Sequence, residues 1–204
     1  MHSLPKRVYF GDYVFSVWEN VYEPAEDSFL FAENLNVHED EKVLDMGTGC
    51  GILGVLAAKK AKTVVAIDVN PRAVRCAKEN AVLNDVRSKM AFVQGDLFTP
   101  LREEEKFDVF LFNAPYLPTD DTEGDSWLDR AWKGGATGRQ IIDRFISEAP
   151  NHLKRAGRVL LMQSTLSGVD ETVYKFAVQG MRTRVVASRA LPFFETITLI
   201  EAKT

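Results

Sequence analysis

Val43-Leu44-Asp45-Met46-Gly47-Thr48-Gly49-Cys50-Gly51 is an apolar run of strand character that passes directly into a glycine-rich turn. Residues 51–60 continue it as a helix. Glycines in such a turn adopt positive φ and let the backbone approach a ligand, while the first NH groups of the helix are free to meet a carboxylate or phosphate. Val64-Val65-Ala66-Ile67-Asp68 ends the next strand on a carboxylate about 20 residues further on, where it can accept both hydroxyls of a ribose. The two features together specify a nucleoside-containing cofactor.

Two cofactor classes fit the glycines. Gly49-Cys50-Gly51-Ile52-Leu53-Gly54 matches the dinucleotide pattern G-x-G-x-x-G, which leaves a nicotinamide or flavin oxidoreductase open. The first glycine after the strand is Gly47, however, with Asp45 two residues ahead of it, where an acid can meet a positively charged cofactor amine. That register favours S-adenosylmethionine. Phe92-Val93-Gln94-Gly95-Asp96-Leu97 places a carboxylate after the third strand, suited to an adenine amino group and equally to a turn or cap. Phe110-Leu111-Phe112-Asn113-Ala114-Pro115-Tyr116 places an amide, two restricted backbone positions and an aromatic ring after the fourth, at the carboxyl ends where open α/β sheets bind ligands.

Outward from these segments, short apolar runs alternate with amphipathic stretches, the pattern of strand-helix units around a mostly parallel sheet. Strands are expected at Lys42–Met46, Thr63–Ile67, Met90–Val93, Phe107–Phe112 and Arg158–Met162, with helices at 51–60, 70–83, 137–155 and 169–179. Asn70-Pro71 caps and opens the second of these helices. Arg184–Ala187 and Thr196–Glu201 are separated only by a turn, Leu191-Pro192-Phe193-Phe194, and so pair antiparallel. Residues 1–40 form an aromatic-rich leading segment with a helix at 25–35. The expected fold is α/β: one Rossmann-like domain over residues 1–204, with a seven-stranded mostly parallel sheet, a C-terminal antiparallel hairpin and helices on both faces.

Composition narrows the classes further. The chain has 204 residues, 46% of them hydrophobic, and a net charge of -4, which excludes wholesale disorder and counts against sequence-independent nucleic-acid binding. No apolar run approaches the ~18 residues that span a bilayer, and the charged leading residues lack a signal-peptide core, so a cytoplasmic location is expected. Cys50 and Cys76 read as free thiols. His2, His38 and His152 are dispersed, so no metal site is expected.

On Asp45–Gly51, Asp68, Asp96 and Asn113-Ala114-Pro115-Tyr116, the chain resembles class I S-adenosylmethionine-dependent methyltransferases of the N-P-P-Y group, which act on planar nitrogens. Val21-Tyr22-Glu23-Pro24-Ala25-Glu26-Asp27-Ser28, Ala131-Trp132-Lys133-Gly134-Gly135-Ala136-Thr137-Gly138-Arg139 and Asp143-Arg144-Phe145 look more specifically like the HemK-related protein glutamine methyltransferases of eukaryotes and archaea. The resemblance runs from Val21 to the C-terminus. It implies methylation of the glutamine in the Gly-Gly-Gln motif of class 1 translation release factors. Exocyclic amines of nucleic acid and protein lysine are the alternative substrates.

The resemblance further implies that S-adenosylmethionine is held by Tyr22, Glu26, Ser28, Asp45, Gly47, Gly49, Gly51, Asp68, Asp96, Leu97 and Asn113, with residues 1–40 closing over it. Asn113, Ala114, Pro115 and Tyr116 would be catalytic: the Asn oxygen and the next carbonyl accept the two NH donors of the amide, and the Tyr ring stacks on its plane. Ala114 departs from the pattern. It keeps the carbonyl but loses the fixed φ of the usual proline. Trp132, Gly134, Gly135 and Arg139 would shape the substrate channel or brace its loop, and the acidic residues Asp120, Asp121, Glu123 and Asp125 would meet a basic protein substrate or stay solvated. The branch is activated by a small zinc-binding protein, expected here along Met90–Val93.

Overall fold

The aromatic-rich leading residues form an antiparallel hairpin, β1 (Lys6–Phe10) and β2 (Tyr13–Val17), closed by a two-residue turn with Gly11 at φ +55°. In the computed structural model residues 5–119 and 126–204 are described, so Asp120, Asp121, Glu123 and Asp125 lie outside the described residues. No strands are expected in the leading segment from its sequence. β2 is held in place by a helix further along the chain, which no local pattern reveals.

After the hairpin come α1 (Glu26–Glu33), β3 (Lys42–Met46), α2 (Ile52–Ala58), β4 (Thr63–Asp68), α3 (Pro71–Leu83), β5 (Met90–Gln94) and β6 (Phe107–Asn113). α4 (Gln140–Glu148), β7 (Leu153–Ser164), α5 (Val169–Val178), β8 (Arg182–Ala190) and β9 (Thr196–Lys203) complete the order. α3 begins as its sequence dictates: the Asn70 side chain accepts from the Arg72 NH at 2.9 Å and Pro71 takes the first helical position. Asn80 and Asn84 on α3 then act as a surrogate strand for β2. Asn80 accepts from the Ser16 NH and donates to the Ser16 carbonyl, both at 2.8 Å, and Asn84 does the same for Val14 at 3.2 and 2.8 Å.

Three expected elements differ clearly in extent, among them β8, which runs over Arg182–Ala190 where Arg184–Ala187 is expected. The helix expected over 137–155 stops at Glu148, because Pro150 has no NH to continue the ladder and Leu153 is already paired with Phe107 of β6. β7 is therefore twelve residues long instead of the five expected, with an irregular register between Phe107 and Val109.

The main sheet has the order β5-β4-β3-β6-β7-β9-β8, with β5, β4, β3, β6 and β7 parallel and β9 antiparallel to both neighbours. The closing hairpin thus inserts its second strand beside β7 and leaves β8 at the edge. Along β3 the side chains alternate: Val43 joins a core under α1, α2, α3 and the hairpin, while Leu44 and Met46 join a Phe-rich core with Phe110, Phe112, Phe145 and Phe176 under α4 and α5. Helices thus cover both faces. Strand order reverses between β3 and β6, where β4 lies to one side and β6 to the other, and the crevice at their carboxyl ends is the expected ligand site.

Candidate active site

A cavity of about 700 Å³ opens at that reversal. Its floor is the turn after β3. Gly47 and Gly49 stand at φ +64° and +56°, and a Cβ on Gly49 would meet nothing within 4 Å, so the bare backbone faces open space. Asp68, at the end of β4, fixes this turn by accepting from the Gly49 NH at 2.9 Å and from the Asn70 NH at 2.9 Å. Burial raises the Asp68 carboxyl above its ordinary value, and the backbone donors of Gly49, Asn70 and Val69 oppose the shift.

Asp45 lies deeper, 1% exposed, accepting from the Thr48 hydroxyl and from the Gly54 NH at 3.0 Å. Burial pushes its carboxyl up to about 7, although the Thr48 and Gly54 hydrogen bonds pull it down; the Asp68 charge adds to the rise. Asp96 and Leu97 line the far side. Asp96 is bound to Arg144 at 2.8 Å, and Leu97 is buried at φ +48°.

The other wall is built around a carboxylate that the sequence reading passed over. Asp27, 5% exposed on α1, accepts from the Ser28 NH at 2.6 Å, the Tyr22 hydroxyl at 3.1 Å, Asn113 Nδ2 at 3.1 Å and the Tyr116 hydroxyl at 3.3 Å. Asn113 Nδ2 also reaches Ser28 Oγ at 3.2 Å. A carboxylate only accepts, so these contacts fix which end of the Asn113 amide faces Asp27. Asn113 Oδ1 is left buried with no hydrogen-bond partner among the described residues. Burial first, and then the Asp27 charge, push the Tyr22 and Tyr116 phenols well above the ordinary tyrosine value, so both keep their protons and donate.

Two expected cofactor contacts fall elsewhere. Glu26 does not line the cavity; with Glu33, seven residues on and on the same helical face, it is bound to Arg189 at the surface, at 2.7 and 2.9 Å. Asp27 shares the inward face with Leu30 and Phe31, and this periodicity was the available signal for it. Gly51 also stands outside the lining. A Cβ there would lie 2.9 Å from that of Ala77, so its smallness serves the contact of α2 with α3.

The tetrapeptide is held from behind. Ala114 is buried and its NH points to the Met162 carbonyl at 3.4 Å, a sheet contact that a proline could not make. Leu117 exchanges backbone hydrogen bonds with Trp132 and Gly134 at 3.0 and 2.9 Å, which draws Trp132 and Gly135 to the cavity wall. Gly138 passes so close to Tyr116 that a Cβ would meet its carbonyl oxygen at 2.3 Å. Arg139 turns away from the cavity to bind the Gly168 carbonyl at 2.7 Å, Thr172 at 3.1 Å and Asp143 at 2.7 Å, so it braces the loop.

Residues 17–128 match the family model described as "Methyltransferase small domain". A Methanocaldococcus jannaschii protein provisionally named protein N5-glutamine methyltransferase is 46% identical, across 88% of this chain and 90% of its own. The chain belongs to the HemK-related glutamine methyltransferases. Human methyltransferase HEMK2 is 31% identical across 84% of this chain and 85% of its own. The E. cuniculi Mtq2-Trm112 complex, described as responsible for methylation of the translation termination factor eRF1, superimposes with a TM-score of 0.70 at 27% identity, covering 91% of this chain and 99% of that one.

Two predictions test this HemK-related site. The raised Asp45 carboxyl holds its proton to about pH 7 when folded and to about 4 when unfolded, so between these values the folded state binds more protons and the contribution of this group to stability falls as pH rises. Urea titrations of the ligand-free protein at pH 5 and 7.5 should therefore give a smaller difference for Asp45→Asn than for the wild type; equal differences would contradict the assignment. Asp27→Asn should lower methyl transfer about tenfold or more by loosening Asn113 and Tyr116, with the circular dichroism spectrum unchanged. A normal rate would remove Asp27 from the machinery.

Proposed function

We propose that this chain transfers a methyl group from S-adenosylmethionine to the side-chain amide nitrogen of a glutamine, the Gly-Gly-Gln glutamine of a class 1 translation release factor, in the cytoplasm. The observation that carries the reading is the orphaned Asn113 Oδ1, a buried acceptor beside a cavity, on a side chain whose other end is tied to Asp27 and Ser28. Leaving such an acceptor buried and unmet costs roughly 1–3 kcal/mol, so an NH donor belongs there. The likeness to the E. cuniculi complex, which methylates eRF1, supports the choice of substrate.

The residues fit the cofactor. Asp68 and the bare backbone at Gly47 and Gly49 would hold the ribose and methionine ends, Asp96 and Leu97 the adenine, and Tyr22 and Ser28 would close the leading segment over it. S-adenosylmethionine supplies an electrophilic methyl on a sulfonium. The remaining task is to present a poor nucleophile, because the lone pair of a primary amide is delocalised. Asn113 Oδ1 would accept one amide NH and the Ala114 carbonyl the other, which fixes the nitrogen in plane, and Tyr116, itself anchored by Asp27, would cover the amide face. Orientation of this kind supplies several kcal/mol without moving any proton beforehand.

The partner reading rests on the edge of the sheet. Among the described residues no strand pairs with the outer side of β5, Ala91 is exposed, and Phe92 is half-buried beneath the Arg87 guanidinium, 5.3 Å from the ring centroid. An added strand from a small zinc-binding activator would pair the free backbone groups and cover that ring in place of Arg87.

Incubation with labelled cofactor should mark a release factor and leave its Gly-Gly-Ala variant unmarked. Asn113→Ala should reduce that transfer at least about a hundredfold, as expected for a positioned polar group at the reacting centre. Labelling of the Gly-Gly-Ala variant, or near-normal turnover by Asn113→Ala, would contradict the reading. Phe92→Asp should abolish co-purification with the activator, and continued co-purification would move the interface off β5.

A further inference from the structure

We propose that the turn between β8 and β9 is a docking wedge for the protein substrate: the rings of Phe193 and Phe194 seat in an apolar hollow of the substrate while its glutamine side chain occupies the cavity. This rests on the function proposed above and extends it from the reacting amide to the body of the substrate.

Phe193 and Phe194 are 95% and 103% exposed, so neither ring is used inside the fold. Both also stand in the left-handed region, at φ +61° and +64°, where a Cβ crowds the backbone and glycine or asparagine would sit more easily. The position is therefore unfavourable twice, in backbone conformation and in apolar surface left in water. The turn itself is firmly built. The Leu191 NH donates to the Glu195 carbonyl at 2.8 Å, the Thr196 NH donates to Thr165 Oγ1 at 3.0 Å, and Leu191 packs on the core.

Register carries the tip to the rim of the cavity. Asn113 on β6 pairs with Met162 on β7, and Met162 pairs with Leu199 on β9, two strand spacings or about 10 Å away. β9 runs antiparallel to β7, so the chain from Leu199 back to Phe194 leads out past the carboxyl ends of β6 and β7. The Glu195 charge is close enough to contribute to the rise of the Tyr116 phenol. A polypeptide that delivers a side chain to Asn113 lays its flanking surface across these strand ends, where the two rings stand. The wedge is anchored to β9, an interior strand buried along most of its length, so it meets the substrate without first having to be ordered.

The double variant Phe193→Asn/Phe194→Gly places residues suited to positive φ and removes both rings. Assayed with its activator on an intact release factor, it should raise KM about tenfold or more, the size associated with loss of aromatic anchors. Turnover at saturation, affinity for S-adenosylhomocysteine and KM for a short Gly-Gly-Gln peptide should be unchanged, and the melting temperature should be no lower than wild type. An unchanged KM on the release factor overturns the proposal. An equal rise on protein and peptide also overturns it, because the tip would then be shaping the reaction site. So does a shift from dimer to monomer in sedimentation, or lost binding to anionic vesicles, with KM unchanged. If the wild type methylates neither factor nor peptide, the function proposed above fails and the wedge with it; if it methylates both and only the variant comparison fails, the wedge alone is lost.

Discussion

The hydrogen bond between Asn113 Nδ2 and the Asp27 carboxylate, 3.1 Å long, joins the first helix to the end of a central strand 86 residues later. It closes one wall of the cavity, and it also determines chemistry on the other side of the same amide. With its NH2 group turned to Asp27 and Ser28, Asn113 can offer only its oxygen to a substrate. Tyr22 and Tyr116 converge on the same carboxylate, so the covering segment and the aromatic face of the site are positioned by one charge. Burying a carboxylate is expensive unless it is hydrogen-bonded, and here the compensating donors include the Asn113 amide and the Tyr22 and Tyr116 hydroxyls that line the cavity. Stability and orientation are thereby coupled at one point.

The turn after β3 works on the opposite principle, with backbone in place of side chain. Asp45 and Asp68 are largely occupied inside the protein, holding Thr48, Gly54, Gly49 and Asn70. Their role in shaping the glycine turn precedes any contact with a ligand. The Asp68 carboxylate has about four acceptor sites and three backbone donors, Gly49, Asn70 and Val69, so shaping the turn and receiving a ribose hydroxyl are compatible.

The central strands were legible because they are buried on both faces, which leaves continuous apolar runs ending in polar residues at the site, as at Asp45, Asp68 and Asn113. The leading hairpin was not, because β2 depends on Asn80 and Asn84, more than sixty residues away. At α1 Glu26 was expected at the cofactor through the resemblance, whereas it is Asp27 that lines the cavity; helix periodicity, with Glu26 and Glu33 outward and Leu30 and Phe31 inward, separates the two. The extent of β7 was lost because Lys154-Arg155-Ala156-Gly157 reads as polar chain; it lies in the register irregularity between the Phe107–Leu153 and Val109–Arg158 pairs, and only those two pairings with β6 place it within the strand.

The two edges of the sheet are unlike. β8 carries Arg182, Arg184 and Arg189, whereas β5, Met90-Ala91-Phe92-Val93-Gln94, carries no charge at all. Arginines along an edge resist the approach of another strand, so strand addition is directed to one end of the molecule. A partner that added a strand to β5, as proposed above, would therefore form a closed 1:1 pair. Head-to-tail growth, which would need both edges to accept a strand, would be blocked, and without the proposed activator a single open edge would limit self-association by this route to pairs.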